Sequence, residues 1–92
     1  MTTSDDMTDK NERVRTLLAR LRQELEATRV DPQTAAEMRD LENDMHALLN
    51  ANGPPAGLLA RAKAADVRFA ARHQVAEGIL REIVDTLARI GV

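Results

Sequence analysis

Two histidines each stand four residues from a glutamate, His46 after Glu42 and Glu77 after His73, a spacing that puts both members of a pair on one face of a helix. Each pair offers a metal two ligands. Carboxylate-bridged di-metal bundles instead use Glu-x-x-His motifs with additional glutamates, and the spacings here are one residue longer. A histidine bonded to a carboxylate, or left at the surface, is the expected state of both, and no metal or other cofactor is expected. Arg61, Lys63, Arg68 and Arg72 form the most basic stretch and offer contacts to phosphate. Specific duplex readout would need a recognition-helix motif and single-strand binding would need stacking aromatics, neither of which accompanies them. Nucleic acid is therefore the alternative partner rather than the expected one.

Catalytic chemistry has little to draw on. The one serine is Ser4, Cys and Tyr are absent, and no glycine-rich loop is present to cradle a phosphate. The absence of Cys also removes disulfides and thiolate metal sites. No catalytic, cofactor-binding or metal-binding residue is assigned, and the chain is expected not to be an enzyme.

The elements that position these residues read as helices. The first eight residues are polar and aperiodic, so they are expected to be disordered, with Thr8 or Asp9 capping a helix over about 9–28. Val14, Leu17, Leu18, Leu21 and Leu25 then recur at three and four, which makes one apolar stripe. Asp31-Pro32 is a helix start, because Asp accepts backbone N–H groups at the N-cap and Pro at the first helical position loses no donor that is needed. The second helix, about 32–51, carries Ala35, Met38, Leu41, Met45, Leu48 and Leu49 and stops at Asn52-Gly53-Pro54-Pro55. The short connection predicts an antiparallel hairpin.

From residue 56 onward a single seam runs through Leu59, Ala62, Asp66, Phe69, His73, Ala76, Leu80, Ile83, Leu87 and Ile90 without losing phase. No Pro or turn dipeptide interrupts it, and Gly78 costs a helix only about 1 kcal/mol relative to Ala. One long helix over 56–90 is the expected reading, with a division near 72–74 as its alternative. At about 52 Å such a helix would overhang a hairpin of about 30 Å. Phe69, Leu80, Ile83, Leu87 and Ile90 are then the expected interface of a homodimeric helical bundle. Asp66 is a polar residue on that seam, expected at its solvated edge with a register role as the sharper alternative.

Composition agrees with this reading. The chain has 92 residues, 43% hydrophobic but 1% aromatic, so its core must be aliphatic and rich in alanine. Residues 1–52 carry 7 basic and 11 acidic side chains and residues 53–92 carry 6 and 4, which favours packing of one half on the other. No leader-like or membrane-spanning apolar run occurs, so a cytoplasmic, bacterial protein with no membrane partner is expected.

The segments "LLARLRQELEAT", "LENDMHALL" and "FAARHQVAEGILREIVDTLARIGV" resemble a family of short, all-helical bacterial proteins known only as a domain of unknown function. In that family an acidic residue follows the Phe and a Pro follows the His, where this chain has Ala70, Ala71 and Gln74. The resemblance implies an all-α fold with a bend at His73-Gln74 and brings no activity, substrate or catalytic residue. The functional expectation is a non-catalytic oligomerisation or protein-interaction module.

Overall fold

A computed structural model describes the backbone of residues 3–50 and 53–92 and the side chains of residues 11–50 and 53–92. Those residues form four helices: α1 (Thr3–Ala27), α2 (Pro32–Leu49), α3 (Leu58–Phe69) and α4 (Gln74–Ile90). Each helix packs against its neighbours in the chain, and α1 also packs against α4, so the four close into a ring. The diagonal pairs α1 with α3 and α2 with α4 do not approach each other among the described residues.

The apolar stripe of α1 goes inside as its spacing requires: Val14, Leu17, Leu18 and Leu21 are buried, and Leu25 packs against them from the edge. The helix backbone begins at Thr3 rather than at Thr8 or Asp9. In α2, Met38, Leu41 and Met45 are buried, with Leu48 and Leu49 partly so, and Thr34 joins them. Its start follows the Asp31-Pro32 signal, for the Asp31 carboxylate accepts the Thr34 backbone N–H at 2.6 Å. The helix ends at Leu49 with Asn50 as its cap, and Asn52 lies outside the described residues.

The expected long third helix is two helices. The chain leaves α3 after Phe69, and the His73 N–H bonds the Phe69 carbonyl at 3.0 Å while Arg72 bonds the same carbonyl at 3.2 Å. His73 then turns extended (φ −134°, ψ 80°), and its carbonyl accepts the Glu77 N–H at 2.8 Å to begin α4. Residues 70–73 thus retain nearly helical hydrogen bonding, which is why the apolar spacing passes through the reversal without a slip. What drives the reversal is burial. A straight helix would leave its outer half in water, whereas folding back removes Ala76, Ile79, Leu80, Ile83 and Leu87 from solvent within one chain.

Phe69, Leu80, Ile83 and Leu87, read above as a surface for a second chain, therefore lie inside the bundle at 1% exposure or less, and Ile90 packs partly against the same core. Leu58 replaces Leu59 as the first buried residue of α3. Ala62, Ala65 and Ala76 are all buried, Ala65 beside Glu37 and Met38 of α2. Small side chains shorten the distance between packed helices.

Helix α4 ends in a Schellman motif. The Val92 N–H bonds the Leu87 carbonyl at 3.0 Å and the Gly91 N–H bonds Ala88 at 3.2 Å, with Gly91 left-handed at φ 95°. Gly78, by contrast, is an exposed mid-helix glycine with open space where a Cβ would go. Alanine should therefore act with opposite sign at the two positions. Gly78→Ala is expected to stabilise by about 0.5–1 kcal/mol, and Gly91→Ala to destabilise by about 1 kcal/mol through its strained φ, both read from urea unfolding.

Candidate anion-binding groove

Ion pairs join three of the four helix contacts. Arg13 and Arg20 reach Glu82 at 3.5 and 3.3 Å between α1 and α4, and Arg22 meets Glu42 at 3.3 Å between α1 and α2. Arg68 Nε lies 2.7 Å from Glu37 Oε2, and Arg61 pairs with Asp44, both between α3 and α2. Exposed pairs of this kind contribute about 0–1 kcal/mol each, so they set helix orientation more than stability. Within α4, Arg81 lies 2.8 Å from Glu77 and Arg89 lies 3.1 Å from Asp85 at the i,i+4 spacing.

The fourth contact, α3 with α4, carries two carboxyls instead. Asp66 is half-buried and faces Glu77, whose side chain is 14% exposed. Asp66 Oδ1 and Glu77 Oε2 are withdrawn from water without a hydrogen-bond partner, Arg81 being close to the latter but not aligned to donate. A proton on Glu77 supplies the missing donor. Hydrogen bonding to Asp66, aided by burial, accordingly raises the Glu77 pKa above the ordinary 4.5 against the opposing pull of Arg81. Burial likewise raises Glu42, with Arg22 and His46 working against it. Asp66 is thus not at a solvated edge but half of a carboxyl pair across the helix contact.

The histidines are far apart in role. His46 is exposed on α2, and His73 is half-buried at the start of α4, its ring edge-on to Phe69 with centroids 5.1 Å apart and planes at 69°. Among the described residues, no three His, Asp or Glu side chains converge as a metal site would require.

The basic stretch is not one surface either. Arg61 and Arg68 are engaged by α2 carboxylates and Lys63 is exposed without an ion pair, while Arg72 sits in the α3–α4 reversal. That reversal meets the α1–α2 connection, and between them opens a groove of about 430 Å³. Arg29 and Asp31 line it from the first connection, Arg68 from the last turn of α3, and Arg72 and His73 from the reversal, with buried Phe69 behind. Neither Arg29 nor Arg72 makes an ion pair among the described residues, whereas a neighbouring depression of about 410 Å³ sets Arg22 and Arg39 against Glu26 and Glu42. The one carboxylate lining the groove, Asp31, is occupied by the cap of α2. Its bonds from Thr34, with smaller help from Arg68 and Arg72, hold its pKa below the usual 3.8. Arg29 escaped the sequence reading because nothing in the spacing of residues 29, 68 and 72 announces that they meet. Its only signal was a cation two residues before the Asp31-Pro32 helix start.

The carboxyl pair has a measurable signature. A raised folded pKa means the native chain binds the Glu77 proton more tightly than the unfolded chain, so this group's contribution to stability falls as pH rises above about 4.5. Asp66→Asn removes the partner that raises it. The variant is expected to melt higher than wild type at pH 7 and to show a smaller gain in Tm between pH 7 and pH 5, as followed by circular dichroism.

No helix among the described residues is long and apolar enough to cross a membrane. No curated protein and no solved structure matches the chain. A family model does match, over residues 14–92, which takes in all four buried stripes, the reversal at 70–73 and every residue lining the groove. The chain belongs to the family described as Domain of unknown function (DUF4404).

Proposed function

We propose that this protein is a non-catalytic interaction module that associates with protein partners, a second copy of itself among them, through the end of the bundle built around the α3–α4 reversal. The observation that carries the reading is the composition of that end. Val67 and Val75 are 76% and 60% exposed, flank the reversal, and are the large hydrophobic side chains left in water among the described residues. Arg72 lies between them without an ion pair. Aliphatic surface beside arginine is the mixture that protein interfaces favour, since arginine is enriched there and lysine depleted.

The homodimer in this reading differs from one built on a long helix. Leu80, Ile83 and Leu87 hold the chain to itself, so the surface offered to a partner is the corner and not the stripe. Unequal charge supports pairing of two copies, because the first 52 residues are net acidic and the last 40 net basic. Apolar residues concentrated at one corner also explain why no dedicated catalytic arrangement is needed for a role.

Light scattering at micromolar concentration is expected to return twice the chain mass for the wild type and a monomer for the double variant Val67→Asp/Val75→Asp. Both positions are exposed, so the variant should melt within about 0.5 kcal/mol of wild type. A wild type that stays monomeric throughout, or a variant that remains dimeric, overturns self-association through this corner.

A further inference from the structure

We propose that the groove between the two connections binds a phosphoryl group, free phosphate or a phosphate monoester, gripped by Arg29 and Arg72. The inference stands on different residues from the valine corner and does not need it.

The charge balance is the first reason. Arg29, Arg68 and Arg72 come from separate parts of the chain yet line one groove. Glu37 offsets Arg68 through Nε, and Asp31, bonded to the Thr34 backbone N–H, keeps its negative charge and offsets only part of the positive charge that remains. Arg29 and Arg72 line the same space with no carboxylate of the described residues within ion-pair distance. Like charges held together repel, and an anion seated between them converts that repulsion into attraction. The eight other arginines and one lysine with described side chains either have a carboxylate within reach or lie outside this groove, as Arg15, Arg39 and Lys63 do.

The second reason is geometry. Guanidinium groups are planar forks that take two oxygens each, and here the forks approach from two different connections. A planar carboxylate satisfies one fork. A tetrahedral phosphoryl group presents oxygens in more than one plane and carries a charge of about −1.5 to −2 at neutral pH, which suits a groove where three guanidinium groups outnumber the carboxylates of Asp31 and Glu37. The space, about 430 Å³, accommodates such a group together with the atom it is esterified to. Helix dipole is not the source of attraction, since Asp31 already caps the amino end of α2.

The test titrates the full chain with inorganic phosphate at low ionic strength, against chloride matched for ionic strength, and reads Tm and heat of binding. Phosphate is expected to raise Tm beyond chloride. Arg29→Ala and Arg72→Ala should each weaken phosphate binding about tenfold, the loss of a charge-assisted contact, while Arg39→Ala, in the neighbouring depression, should leave it unchanged. All three residues are exposed, so folding is retained and is checked by the melting curve without ligand. Equal effects of phosphate and chloride, or binding that survives Arg29→Ala/Arg72→Ala, overturns the proposal. A phosphoserine peptide bound more tightly than phosphate, and lost in the same variants, identifies a monoester as the ligand; phosphate bound alone identifies the free anion. Binding of a short oligodeoxythymidylate that phosphate cannot displace overturns the assignment in favour of a nucleic-acid surface. Dimer mass measured in the same samples reports on the valine corner separately, so either idea can fail without the other.

Discussion

Leu80, Ile83 and Leu87 can leave water only against a surface as long as α4 itself, and α1 and α3 provide that surface because the chain reverses between Phe69 and Gln74. The rest of the fold depends on this self-burial. With one aromatic and a core of aliphatic and alanine side chains, the protein has little volume to fill a bundle. It compensates by burying Ala62, Ala65 and Ala76 among larger aliphatic side chains, and it places Phe69, the largest fully buried side chain among the described residues, at the point of reversal.

The electrostatic pattern follows from the same packing. Where helices meet at their edges, opposite charges face each other, and α1, α2, α3 and α4 are joined by Arg22 with Glu42, Arg61 with Asp44, Arg68 with Glu37, and Arg13 and Arg20 with Glu82. Between α3 and α4, Asp66 and Glu77 are drawn out of water together, and hydrogen bonding to Asp66 with burial raises the Glu77 pKa above its ordinary value. The Asp66–Glu77 carboxyl pair ties the pH response of this contact to the reversal that brings α4 against α3.

The reversal also assembles the one end of the bundle with unspent chemistry. It carries Arg72 and His73 to the connection that holds Arg29 and Asp31, and it leaves Val67 and Val75 outside the core on either side. Cationic groove and aliphatic corner are therefore two consequences of a single backbone event. Both proposed surfaces lie at connections held by packed helices, where side chains are free of the demands of the core.

The sequence by itself determined the helices and their inward faces: three-and-four spacing put Val14, Leu17, Leu18, Leu21, Met38, Leu41 and Met45 inside, and Asp31-Pro32 placed the start of α2 to the residue. These features are local, and a helix face or a cap is decided by residues within a few positions of one another. Tertiary structure decided between one long last helix and the division near 72–74 that the sequence left as its alternative. Residues 70–73 keep helical hydrogen bonding and contain no Gly or Pro, so spacing continues through them, and only the gain from burying α4 on its own chain selects the reversal. It alone paired Asp66 with Glu77 and joined Arg29 to Arg72, because partners far apart in the chain leave no periodic trace and are chosen by which faces the packed helices bring together.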